Sequence, residues 1–196
     1  GYEMVETLKK NQAKMGHFMR FVDVFSDHLA KSIRNKKRAT QVNVLKCWKT
    51  VTDAFVDIEE ELDITVMEDF DELVVKMDTI DLESVLTHLY MNSIQSLERT
   101  KGRKRKIVFD YKYKEGGLTI KFSDNGIGIP VKKLEEVFEP FKYGHNEDNE
   151  EKHGHGLGLH IVKRIMDHYD GTAKAVPQST GAMIIIIFPD IKKVAT

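Results

Sequence analysis

The chain has 196 residues, 41% of them hydrophobic and 31% charged, with a formal net charge of -1. This is the composition of a soluble globular chain with one medium domain plus a further piece, and the balance of charge excludes an extended nucleic-acid surface. A single cysteine, Cys47, excludes an intramolecular disulfide and a cysteine metal cluster and fits a reducing, cytoplasmic setting, while the longest apolar run, residues 182–189, is too short to span a bilayer.

The N-terminus lacks the layout of a signal peptide, and a start at Gly1 rather than Met suggests a segment of a longer protein. Residues 3–34 read as one long helix, on which Met15, Phe18, Val22, Phe25 and Leu29 form a heptad-like seam. Such a seam needs a partner helix or a second copy of the chain, so a homodimer through this helix is expected. His17 and His28 read as ordinary, partly exposed histidines. Residues 35–38 read as a linker, which divides the chain into a helical segment, 1–38, and a domain, 39–196.

A second helix is expected over residues 42–62, with Val44, Trp48, Val51, Phe55, Ile58 and Leu62 as its apolar stripe. Residues 64–67 and 74–77 read as a hairpin-like pair of short strands around an acidic stretch. Asp81 is the expected N-cap of a third helix reaching about residue 98, with Leu82, Val85, Leu86, Leu89 and Ser93 on its core face. His88, Asn92 and Gln95 stand on another face, which from this helix alone reads as solvated. The basic residues between 99 and 106 read as a solvated connection.

Residues 107–113 and 118–122 alternate around a glycine turn, the pattern of a β-hairpin. The second strand runs into Asp124-Asn125-Gly126-Ile127-Gly128, followed by a short helix over 131–137 and then Phe138-Glu139-Pro140-Phe141. Residues 142–153 are polar and charged and read as a mobile surface loop. Gly154-His155-Gly156-Leu157-Gly158-Leu159 then opens a helix with Val162, Ile165, Met166 and Tyr169 on its core face and Gly171 as the expected C-cap. Residues 172–176 and 182–188 read as closing strands, the second of them interior to the sheet. The expected fold is α/β, a two-layer α/β sandwich with a mixed sheet and helices on one face.

Three glycines in five positions before a helix bring unpaired N–H groups and a positive dipole end close to a ligand, the chemistry of a phosphate cradle. Asp124 ends a buried strand, where a carboxylate is costly unless something donates to it. Either it serves a plain Asp-Asn-Gly turn or it accepts from an exocyclic amine such as that of adenine, with Gly126 and Gly128 letting a flat base approach. His145, His153, His155 and His160 lie close in sequence, but their spacing fits no standard metal site.

The order of these pieces resembles the GHKL ATP-binding superfamily, and within it the catalytic domain of sensor histidine kinases. His88 to Asn92 stand as the asparagine box, Asp124 to Pro130 as the first glycine box, Phe138 to Phe141 as the phenylalanine box and Gly154 to Leu159 as the second glycine box. The resemblance implies that ATP and Mg²⁺ are the cofactors. Asn92 would be the metal ligand and Asp124, with Gly126 and Gly128, would read adenine. Gly154, His155, Gly156, Leu157, Gly158 and Leu159 would cradle phosphates, and the loop from Lys142 would be the ATP lid. His88 and Asn92 would be the catalytic pair: where ATP-hydrolysing members carry a glutamate that activates water, this chain has His88, which suits phosphoryl transfer, as proton acceptor or as a group that only orients the metal shell.

The chain departs from the family at Gln95, often basic, which leaves phosphate contact to Lys142, Lys152 or His155. It departs also at Gly181-Ala182, where a Gly-Thr pair is usual, and in the acidity of the lid. The family's phosphoacceptor box is absent, so the accepting histidine is expected outside this chain segment, with a response-regulator receiver downstream. The rival functions are a nucleotide-driven GHKL clamp ATPase and a non-catalytic regulatory module.

Overall fold

The computed structural model describes residues 40–62, 64–68, 73–100, 102–114, 117–142 and 156–189, all within the second of the chain's two units, Ala39–Thr196. The expected N-terminal helix and its seam lie outside the described residues. The elements are β1 (Thr40–Asn43), α1 (Val44–Asp53), α2 (Val56–Leu62), β2 (Ile64–Glu68), β3 (Val74–Met77), α3 (Thr79–Glu98), β4 (Arg105–Lys114), β5 (Gly117–Asp124), α4 (Gly158–His168), β6 (Thr172–Val176) and β7 (Met183–Pro189).

The main sheet has five strands in the order β2-β4-β5-β7-β6, mixed because β2 runs parallel to β4 while the other pairs are antiparallel. Period-two alternation puts Leu118, Ile120, Phe122 and Asp124 of β5 on its buried face, beside Ile107 and Phe109 of β4 and Ile184, Ile186 and Phe188 of β7. Helices cover that face. Trp48 of α1 stacks on Phe109 at a centroid distance of 4.2 Å and meets Phe122 and Tyr90 edge-on. The expected two-layer α/β sandwich is the observed fold.

The local corrections have physical causes. The expected helix over 42–62 begins as a strand. Asn43 ends β1 and also caps α1, its Oδ1 accepting from Lys46 N at 2.9 Å. The helix then breaks at Ala54 and Phe55, whose N–H groups bond three residues back, to Val51 and Thr52 carbonyls, which swings Phe55 inward against Tyr90. The expected hairpin of 64–67 with 74–77 is not formed: β2 pairs with β4, and β3 pairs antiparallel with β1 in a separate two-stranded sheet. Asp78, not Asp81, caps α3, accepting from Ile80 N at 2.8 Å. The short helix over 131–137 is two 3-10 turns, Val131–Lys133 and Glu136–Phe138. At the end of α4 the left-handed residue is Asp170 (φ 54°), and Gly171 N closes the motif on Met166 O at 2.8 Å.

Candidate functional site

The site is built where α3 passes the end of β5 and the start of α4. Asp124 is the last inward residue of β5, so the alternation that buries Phe122 also buries a carboxylate, to 7% exposure. Three donors meet it. Gly126 N (2.8 Å) and Ser96 Oγ (3.0 Å) give hydrogens to Oδ1, and Ser93 Oγ (3.2 Å) gives one to Oδ2. Burial pushes its pKa up, and these hydrogen bonds, with one from the backbone at Ala182, pull it back down. Of the three donors with the distances above, two meet Oδ1 and one meets Oδ2.

The turn after Asp124 is pinned from two sides. Asn125 gives Nδ2 to Lys104 O and accepts Lys106 N, each at 2.8 Å, and Arg103 Nη2 donates to Gly126 O at 2.9 Å. The basic connection is therefore tied down, and Arg105 also donates to Leu97 O at 3.0 Å. Gly128 and Gly181 make a close backbone crossing. A methyl on Gly181 (φ +73°) would fall 1.8 Å from Asp124 O, and one on Gly128 (φ +80°) 2.7 Å from Gly181 O. That crossing explains why glycine stands at 181 even though the residue after it carries no hydroxyl.

On α3, His88 is 5% exposed, which corrects the solvated reading of its face. Asn92, one turn on, is half-buried, and its Nδ2 is buried without a hydrogen-bond partner. Gly158, the first residue of α4, lies directly over both. A methyl there would stand 3.4 Å from both Asn92 amide atoms and 3.6 Å from His88 Nδ1. Leu157 occupies the N-cap position with no capping side chain, and it and Leu159 are half-buried.

The phenylalanine box is fastened to the same helix. Phe141 N donates to Gly156 O at 2.9 Å, and the Nδ1 of His160 lies 3.0 Å from Phe138 O. Phe141 is left-handed (φ 62°), and a methyl on Gly156 (φ +65°) would press on it at 2.8 Å. Lys142 is exposed. Gly154 and His155 of the second glycine box, and the expected lid beyond Lys142, lie outside the described residues. Among the described residues no group of three or more His, Cys, Asp or Glu could hold a metal ion.

The structure thus brings His88, Asn92 and Gly158 together at one end, and Asp124, Gly126 and Gly128 together at the other. Ser96 and Arg103 are additions that sequence reasoning missed. Ser96 had one visible clue, its three-residue spacing from Ser93, which puts both hydroxyls on one side of α3.

Residues 77–192 match the family described as histidine kinase-, DNA gyrase B- and HSP90-like ATPases. The chain belongs to this family. Within this ATPase family it is 31% identical over 113 residues to the sensor protein RprX of Bacteroides fragilis, an overlap of 56% of this chain and 22% of that one. The chain therefore spans about a fifth of the length of that curated relative. In fold it is similar to the mycobacterial sensor histidine kinase MprB (TM-score 0.64, 19% identity, 79% of this chain and 99% of that one). It is similar also to the histidine kinase ThkA, solved in complex with the response regulator TrrA (TM-score 0.65, 21% identity, 90% of this chain and 49% of that one). The described residues are those of a histidine-kinase-like ATPase domain, and no helix among them is long and apolar enough to cross a membrane.

Proposed function

We propose that this domain binds Mg²⁺·ATP and passes the γ-phosphoryl group to a histidine outside this segment, as the catalytic domain of a two-component sensor kinase. The observation that carries the reading is the placement of Gly158 over Asn92 and His88, which joins the uncapped start of α4 to the asparagine box. An uncapped helix start leaves N–H groups for phosphate oxygens. Asp124, at the end of β5, offers a carboxylate acceptor for the adenine amine.

The residues fit a magnesium ion. Asn92 supplies an amide oxygen, the hard ligand that Mg²⁺ takes while keeping most of its waters, and the buried amide nitrogen, which has no partner, is a donor suited to a phosphate oxygen beside the ion. Bound there through Asn92, the ion would neutralise charge on the phosphates. The chain's own residues do the rest. Asp124 and its turn fix the base, the start of α4 holds the phosphates, and Lys142 stands at the root of the lid. His88 takes the proton that the accepting imidazole sheds as its nitrogen bonds to phosphorus and ADP leaves. The absence of a carboxylate at this position spares ATP from water. The likeness to ThkA with its response regulator supports a receiver domain as the next acceptor.

The test is titration with a non-hydrolysable ATP analogue, with and without Mg²⁺. Wild type is expected to bind, Asp124→Ala to lose binding, and Asn92→Ala to lose only the Mg²⁺-dependent part. Absence of binding by wild type would leave a non-catalytic module.

A further inference from the structure

Nothing in the family motifs assigns a role to the two serines of α3 that face Asp124, yet they complete its hydrogen bonding. Ser96 is a node. Its Oγ accepts Ile127 N at 3.1 Å and gives its only hydrogen to Asp124 Oδ1 at 3.0 Å. Its carbonyl accepts Thr100 Oγ1 at 3.1 Å. Ser93 gives its hydrogen to the other oxygen, Oδ2, at 3.2 Å. The fit is close, since a methyl on Gly126 would lie 2.0 Å from Ser96 Oγ.

The groups that hydrogen-bond this carboxylate, Gly126 N, the Ser96 and Ser93 hydroxyls and the backbone at Ala182, are all donors. The backbone of the glycine turn fixes the direction of the Ser96 hydroxyl, so Asp124 is held as an acceptor only. Arg103, on the loop beside this turn, gives its hydrogen to Gly126 O rather than to the carboxylate. A ligand atom that reaches this carboxylate must therefore bring a hydrogen. A 6-amino purine does so, whereas a 6-oxo purine would set two acceptors against each other.

We infer that Ser93 and Ser96 are positioning residues that make the site select a 6-amino over a 6-oxo purine nucleotide, by holding Asp124 as a pure acceptor. The inference rests on the nucleotide reading above. Without the Ser96 hydrogen, the buried carboxyl loses a donor and can carry a proton itself, which it can then offer to a 6-oxo group.

Isothermal titration of the whole chain with ADP and with IDP separates the possibilities. Wild type is expected to prefer ADP by about a hundredfold, the discrimination of a buried polar group left unpaired. Ser96→Ala is expected to lower that preference about tenfold, Ser93→Ala to lower it as well, and Ser96→Thr to restore it. Thermal melts run beside each titration. If Ser96→Ala does not fold, the preference of Ser93→Ala decides alone. A preference unchanged in the alanine variants, even with affinity for both nucleotides reduced alike, overturns the inference and leaves the serines a purely structural role. Equal binding of IDP and ADP by wild type overturns it while leaving the nucleotide site intact. Binding of neither overturns the nucleotide reading and the inference with it.

Discussion

Asp124 sits at a cost that the proposed nucleotide site would explain. Burial lifts its carboxyl above the ordinary value against the pull of its donors, so the folded chain holds a proton there more readily than the unfolded chain. The stability this site contributes is therefore in place below the unfolded value of about 3.9 and is lost as pH rises through the higher folded one. Asn keeps the shape without the charge. Its oxygen can accept from Gly126 N and Ser96, and the Ser93 hydroxyl can turn to accept from its amide. Asp124→Asn is expected to raise Tm at pH 8 by about 2–4 °C, the equivalent of about 1 kcal/mol in a chain of this size. The gain should shrink as pH falls towards 4, and the Tm rise that ADP gives wild type should disappear. Melts from pH 4 to 8, with and without ADP, check all three; a variant less stable than wild type at pH 8 would contradict the assignment of cost to the buried charge.

Helix α4 is fixed at both ends, and each end makes a separate prediction. At its C-terminal end Tyr169 Oη donates to Asp81 Oδ2 at 2.7 Å and accepts Asp78 N at 3.1 Å, joining it to the start of α3. Tyr169→Phe removes both bonds and is expected to cost about 1–2 kcal/mol, read as a lowered urea midpoint at unchanged m-value. At the other end, a methyl on Gly158 meets Asn92 at an ordinary 3.4 Å. Gly158→Ala should leave stability intact, because alanine suits a helix better, yet cover the Asn92 amide. The Mg²⁺-dependent part of nucleotide affinity is expected to fall about tenfold in titrations with and without the ion. The elements that could be read from sequence were those with a long, clean period. β4 and β5 alternate over seven residues or more, β7 is an unbroken apolar run, and α3 and α4 carry extended apolar faces. β1 was hidden because its four residues run straight into α1 and Asn43 serves both. The partners of β2 and β3 were hidden because pairing is a long-range property: β3 found β1, and β2 found β4 across the whole of α3. The motif residues of the candidate site were singled out for the opposite reason, since it is their order along the chain, rather than any one box, that marks the matched family. Ser96 was not, because its role exists only once α3 lies across the end of β5.

At the scale of the molecule, one aromatic cluster ties the layers together. Trp48 is the only tryptophan, is fully buried, and touches Phe109 on β4, Phe122 on β5 and Tyr90 on α3. Tyr90 also donates to the Glu59 carboxylate on α2, and burial raises its pKa. A single fluorophore placed at this junction reports the docking of helices on sheet, whereas far-UV circular dichroism reports the helices and strands themselves. If the sheet and its helices share one core, the two signals must disappear together. The matched family segment, residues 77–192, and every described element fall inside Ala39–Thr196. That unit, expressed without the first 38 residues, is therefore expected to fold by itself, with coincident urea transitions by Trp48 fluorescence and circular dichroism. It should bind ADP within about twofold of the whole chain, and a hundredfold excess of ADP over its Kd should stabilise it by about 2.7 kcal/mol, moving both transitions equally. Transitions that separate, or a shortened chain that no longer binds ADP while the whole chain does, would show that the N-terminal residues are part of the nucleotide-binding unit rather than a neighbour to it.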